Sequence, residues 1–542
     1  MFKKTILIFF LAFVVSLYAL SDSQILNTLE EETDYYKKNL KQEEYGPPFF
    51  LQNRLSKTKS YSITASLGVL DTEDCSESVY VNTNSKYGDY KFNGAASNRR
   101  TVFRRTGDEY FNDEGIFTAD AVKIALWHTT DAAYKNCISN YLYEKSDQAR
   151  KVQIENKPDF FSREDKFVWK DEKIEFHPEP EKMKEIIKEV SLYLKQFTWI
   201  QRSYVTYRAN NYKDYLVNSE GSRIIRNKTI YYLAIFLGIL NEEDGMPLSN
   251  YKDFSSSKFD GLPAKEEAMK SAENLVEELK SMKKAKKLNP QTAPAILGPE
   301  VASSLFITAV GEPSVWNRGD EEDHPFKDKI DKKIIPNFLS VTDDPLMESF
   351  SEKDLLGHYK YDSEGIPAKR VNIVKDGKFK NYLLSRTPAI GFSKSNGHAG
   401  GVSNLIIDSK KSFEYSKLRK MLIEECKKQD KDYGFIVLGL PFQSSSDIRQ
   451  AFVEYPRLIY RIDAETGSME MVRGIEIVGT ALATINKIVA TGKKRRVTNF
   501  TGYNPKTTVC PYLLLSELEF QKSYEYRIRP PLLKPPYEKG VK

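Results

Sequence analysis

A chain of 542 residues is too long for one hydrophobic core and implies two to four domains. With 40% hydrophobic and 12% aromatic residues it can bury large cores, which excludes global disorder. The formal net charge of +6 comes from cations scattered among nearly as many carboxylates. The one dense cluster noted, Lys493 to Arg496, follows a glycine and reads as a solvated turn, so nothing favours nucleic acid as a partner.

Residues 1–21 have the form of a secretory signal: Lys3 and Lys4, an apolar TILIFFLAFVVSLYAL, and small residues at Ala19 and Ser21. The expectation is an exported protein, periplasmic or secreted, without a membrane span. Ser23 to Asn39 patterns as an amphipathic helix, and Gly46-Pro47-Pro48 breaks the chain before strand-like segments, the later one over Val79 to Gly94. Phe117 to Lys151 reads as a long helix with Leu126, Trp127, Ala133, Tyr134 and Cys137 on its apolar side. Met183, Ile187, Val190, Leu194 and Phe197 mark another helix. Three strand-like runs follow, Trp199 to Ala209, Tyr212 to Val217 and Arg223 to Leu240, with a tight turn at Asn218 to Gly221. Pro263 to Lys287 is helix-forming, and the polar, proline-bearing stretch from Asn289 to Pro294 is the best boundary.

Beyond it, short apolar runs alternate with turn residues, as at Asp376-Gly377 and Glu465 to Gly467. Helices are expected at Glu414 to Lys428 and Thr480 to Ala490. This half reads as a strongly curved, mainly antiparallel, barrel-like sheet, so the fold class is α+β. Residues 523–542 form a proline-rich, extended tail.

The segment AILGPEVASSLFITAVGEPSVW, Ala295 to Trp316, carries a Gly-Pro break followed by a helix of small and apolar residues. It resembles the TldD/PmbA family of metallopeptidase-related proteins, whose active branch has His-Glu-Ala-Val-Gly-His at this point. Counted from Gly298, that hexapeptide falls on Ile307 to Glu312. Ala-Val-Gly is kept, while Ile307, Thr308 and Glu312 stand at the histidine, glutamate and second histidine positions. The third ligand of the resembled branch is a cysteine that would fall near Asn499 to Gly502, and Cys510 comes too late and reads as a buried thiol. A catalytic zinc needs about three protein ligands and a carboxylate base; Ile307 cannot coordinate and Thr308 cannot serve as base near neutral pH. No zinc or other cofactor is therefore expected.

Further segments are similar to the family: LWHTTDAAYK (Leu126 to Lys135), YLVNSEGSRI (Tyr215 to Ile224), Asp362 to Pro388, SNGHAGGVSNL (Ser395 to Leu405), Val472 to Gly492 and Val509 to Lys522. The resemblance implies an α/β N-terminal domain, here 22–288, and a β-rich C-terminal domain, 289–522. It also implies dimers, including pairs of one zinc-bearing and one zinc-free subunit; PEVASSLF at 299–306 is closer to the zinc-free kind. The leader departs from the cytoplasmic founders of the family.

Among the remaining candidates, the glycine-flanked loop Ser395, Asn396, Gly397 and His398 is the expected peptide-positioning segment. His324, in an acidic loop, and Asp343-Asp344 read as a solvated loop and a turn. A Cys75–Cys137 bridge stays open. The expected function is a non-catalytic peptide-binding or partner subunit, as a homodimer or a heterodimer with a zinc-bearing relative. The alternatives are a peptidase with a metal site rebuilt from Glu312, His398, His324 or a partner's residues, and a structural envelope protein.

Overall fold

The computed structural model describes residues 20–42, 44–107, 117–150, 158–241, 243–316, 324–440, 451–502 and 504–523. Most of the leader and of the proline-rich tail, and part of the acidic loop before His324, lie outside them. The chain forms a mixed α and β fold with two sheet-rich regions.

The first region is a seven-stranded sheet in the order β3-β2-β1-β5-β6-β4, with β7 also paired to β6. Its strands are β1 Phe50–Ser66, β2 Val69–Gly88, β3 Asn93–Gly107, β4 Val168–Lys170, β5 Arg202–Asn218, β6 Arg223–Leu240 and β7 Pro247–Ser256. All pairings are antiparallel except β4 with β6, so this region is not built from alternating βαβ units. Two of the expected strands merge. Asn210 and Asn211 do not interrupt β5, because their side chains bond across the sheet. Ser60 Oγ donates to Asn210 Oδ1, and Asn211 Nδ2 donates to Thr229 Oγ1 at 2.9 Å.

Side chains alternate between the faces of a strand. The odd-numbered residues of β1, β5 and β6, such as Tyr61, Ile63, Val205, Tyr207, Leu233 and Ile235, enter one apolar layer, and Leu51, Leu55, Tyr215 and Val217 continue it. That face is covered by helices α1 Asp22–Asn39, α2 Ala119–Gln148, α3 Pro180–Lys195 and α4 Lys265–Lys284. Ser21 caps α1 in a reciprocal box with Gln24, which satisfies free N–H groups of the first turn. Trp127 does not join the apolar side of α2 as expected: it is 57% exposed. The other face of the sheet carries the even-numbered side chains and turns toward the second region.

That region is a 14-stranded sheet organised around the strand Lys506–Lys522. This strand pairs with β9 (Gln291–Leu297) and with the strands Asn404–Ser409, Ile475–Thr480 and Ile488–Phe500. Most pairings are antiparallel, but among the described residues none closes the sheet into a barrel; the path runs open to β8 (Lys286–Lys287). β8 already pairs with Val472 and Arg473, so the second sheet recruits residues from before the Asn289–Pro294 link. β9 is apolar on both faces for a physical reason. Ala295 and Leu297 face α5 (Pro299–Phe306) and α7 (Ala481–Asn486), whereas Ile296 faces α6 (Tyr415–Lys428). Asp376 and Gly377 both take positive φ at the expected hairpin turn. Cys75 and Cys137 belong to separate apolar clusters, with Cys137 Sγ 3.3 Å from Ser85 Oγ, so no bridge joins them.

Candidate functional site

The Gly-Pro break begins α5 as expected. A Cβ on Gly298 would lie 3.1 Å from Leu438 Cα, so the strand-to-helix turn packs closely there. Pro299 occupies the first helical position, where its missing N–H costs nothing. The helix then widens into a π-helical turn, Ile307–Gly311, before Pro313. Ile307 packs against the large C-terminal core, Thr308 is half-buried, and Glu312 is exposed and accepts from Lys506 Nζ at 2.9 Å. Asn499 is committed elsewhere: its Oδ1 accepts from Leu356 N at 3.2 Å and Thr507 Oγ1 at 2.7 Å, and its Nδ2 donates to Asp354 O at 3.0 Å. Cys510 is fully enclosed, and burial pushes its thiol well up.

These residues do not fit a zinc ion. Ile307 has no donor atom, the Glu312 carboxylate holds a lysine, and the Asn499 side chain holds backbone. Among the described residues, no three of His, Cys, Asp and Glu come together in a metal-holding arrangement.

The loop expected to position peptide is interior. Ser395, Gly397 and His398 are buried and Asn396 half-buried. His398 Nε2 lies 3.2 Å from Asp343 Oδ1, and its Nδ1 3.0 Å from Asn396 O. Asp343 also accepts from Ser403 N at 2.9 Å and from Ser403 Oγ. The expected turn at Asp343-Asp344 holds for its second residue only: Asp343 ends a strand and is 0% exposed, while the Asp344 carbonyl accepts from Met347 N at 3.3 Å across the turn that follows. Tyr359 OH donates to Gly397 O at 2.9 Å, and Ala399 N donates to Asp362 Oδ2 at 3.0 Å. These contacts brace the loop against segment 359–366. His324 is likewise buried rather than solvated, tilted against Trp316 and edge-on to Tyr382.

What the molecule opens instead is a cleft of about 1450 Å³ between the even-numbered face of the first sheet and the second region. One wall is Arg202, Tyr204, Thr206, Arg208, Asn210 and Tyr212 of β5, with Tyr251 to Ser255 of β7. The facing wall is Pro299, Glu300 and Ser304 of α5 and the run Arg495 to Gly502. The Asn499–Gly502 segment therefore borders the cleft, while Ile307, Thr308, Glu312 and 395–398 are not among its lining residues. Glu300 is held by Tyr251 OH at 3.1 Å, Leu440 N at 3.1 Å and Arg457 Nη2 at 3.5 Å. Asp253 is pushed above the usual carboxylate range by burial, with Glu300 adding to the rise and Lys252 opposing it. The signal for this surface lay in β5, whose polar and aromatic residues recur every second position opposite Val205, Tyr207 and Ala209.

The chain is thus a mixed α and β protein of two sheet-rich regions, with a strand-to-helix break bordering the cleft between them. Residues 290–522 match the family described as PmbA/TldA metallopeptidase C-terminal domain. The chain is similar to Metalloprotease MJ0996 of Methanocaldococcus jannaschii, 33% identical over 121 residues, or 22% of this chain and 26% of that protein. It is also similar to Metalloprotease PmbA of Escherichia coli O157:H7, 34% identical over 125 residues, 22% of this chain and 25% of that protein. These matches span about a quarter of the relatives' own length. Among solved structures, TldE from Thermococcus kodakarensis superposes with a TM-score of 0.60 at 14% identity, covering 92% of this chain and 99% of that one. Residues 290–522 thus carry the PmbA/TldA metallopeptidase C-terminal domain, and the chain as a whole has a fold similar to that of TldE.

Proposed function

We propose that this chain is an exported, zinc-free member of the TldD/PmbA family that binds peptides without cleaving them. In this reading it works as a partner subunit, as a homodimer or beside a zinc-bearing relative, with 22–288 and 289–522 as its two domains. The reading rests on one observation above others: Ile307 and Thr308 stand where an imidazole and a carboxylate would be needed, in the turn that follows a helix whose Pro299, Glu300 and Ser304 line a cleft large enough for several residues of peptide. The similarity to two metalloproteases supports peptides as the ligand class. The 395–398 loop enters this reading as a brace for segment 359–366, since it is not among the residues lining the cleft.

The test is metal analysis and peptide cleavage on residues 22–542 purified from an exporting host. The expected result is zinc far below one equivalent, no chelator-sensitive cleavage, and binding of an unfolded fluorescent peptide. Stoichiometric zinc with cleavage abolished by chelator overturns the non-catalytic reading, and a monomer by light scattering at micromolar concentration overturns the homodimer.

A further inference from the structure

Six cations line the cleft: Arg202, Arg208, Lys252, Lys353, Arg495 and Arg496. Of these, among the described residues, only Arg495 makes an ion-pair contact, with Asp408, although Lys252 also acts on Asp253 through space. The lining carboxylates are in a different condition. Glu300 is held by Arg457, Tyr251 and a backbone N–H, and Glu278 accepts from Asn250 Nδ2 at 2.8 Å. The formal sum is therefore a poor guide to the field in the cleft. Of its four carboxylates Glu300 is paired with Arg457 and Asp253 is pushed toward its neutral form by burial, while Arg202 and Arg208 of β5 stand exposed with no carboxylate contact among the described residues.

Spacing adds to this. Arg202 and Arg208 lie six positions apart on one face of a strand, a separation of roughly 20 Å at the usual rise per residue. Tyr204 lies between them and stacks on Phe236, with ring centroids 4.9 Å apart. Arg202 leans over this aromatic pair, 5.5 Å from the Tyr204 centroid and 5.6 Å from that of Phe236, which leaves its charge without a carboxylate; two such cations on one strand face suit a ligand whose negative charges are spaced along an extended chain.

We propose that the cleft selects peptides bearing spaced acidic side chains, taken up through Arg202 and Arg208. This rests on the peptide-binding reading and names its ligand class. A polyphosphate backbone fits less well, because a continuous line of charge would also meet Glu267, Glu278 and Glu300 on the same walls. Charges set several residues apart avoid those positions.

The experiment measures fluorescence anisotropy of residues 22–542 with three extended decapeptides of one framework, carrying Glu, Gln or Lys at the variable positions. The Glu peptide is expected to bind about tenfold tighter than the Gln peptide at low salt, and the advantage should shrink near 0.5 M salt. The double variant Arg202→Gln/Arg208→Gln should remove the advantage, bringing the Glu and Gln peptides to the same affinity. The exposed Arg100→Gln on β3, away from the cleft, should change nothing. Equal affinity for Glu and Gln peptides overturns the acidic selection and leaves the peptide-binding reading standing. Binding of no peptide at all overturns both. An oligothymidylate that displaces the Glu peptide at lower concentration than unlabelled Glu peptide does overturns the choice of a peptide.

Discussion

Lys228 illustrates how a single side chain can carry an identifiable electrostatic load. It sits on the even-numbered face of β6, with its Nζ donating to Leu356 O and, at 3.4 Å, to His358 O. Carbonyls satisfy its donors but bring no countercharge. Burial, with Arg226 adding to it, pulls the ammonium down to about 7. His358 next to it is also pulled down, chiefly by burial, with Lys228 and Lys360 opposing Glu348. The unfolded chain holds the Lys228 proton to a higher pH than the folded one does, so this residue makes stability rise between about pH 7 and 10 and adds no slope below 7. Urea midpoints at pH 7, 8 and 9 should rise more steeply in the parent than in Lys228→Met. The difference in slope should be at most about 1.4 kcal/mol per pH unit. Identical slopes would remove the buried-amine account.

At the scale of elements, the loop 395–399 shows how a functional-looking motif can be architectural. Its glycine was attractive because a backbone without Cβ can approach a ligand. Gly397 instead takes φ +78° against the protein itself, and a Cβ there would lie 2.3 Å from Pro367 O. Gly397→Val should therefore cost about 3 kcal/mol or more, from left-handed strain and the clash together, read as a lower denaturation midpoint. Such a variant reports first on the fold, since the loop is absent from the cleft lining. The π-helical turn at Ile307–Gly311 is the converse case, an element whose place was legible but whose widened geometry was not, because its apolar side chains suit an ordinary core helix as well.

Over the whole molecule, the two sheet-rich regions are fastened by charges buried at their contact. Arg386 is 0% exposed and meets Glu220, at the turn between β5 and β6, through paired bonds of 2.6 and 2.9 Å. Its guanidinium lies 3.9 Å from the centroid of Phe161 and donates to Ser162 O. Arg473 holds Asp244 at 2.6 Å, and Ser256 Oγ donates to Asp354 at 2.6 Å. With such links, calorimetry should show one transition and not two. Arg386→Met, which leaves Glu220 without its partner, should lower that transition by about 3 kcal/mol without splitting it. Two resolved transitions in the parent would mean that the regions unfold independently.

The sequence by itself determined what depends on neighbours along the chain. The periodicity of α1 to α4, the hairpin at Asp376-Gly377, the Gly-Pro entry to α5 and the side chains at 307, 308 and 312 were all legible because local pattern or residue chemistry decides them. Only the tertiary structure decided which surfaces meet. It merged two strands across Asn210 and Asn211, sealed His398 against Asp343, kept Trp127 in solvent and left the second sheet open. It also joined β5, β7, α5 and Arg495 to Gly502 into one cleft. Residues some three hundred positions apart come to face each other only when both sheets have formed, and burial, which sets the state of Lys228 and Asp253, has no meaning before then.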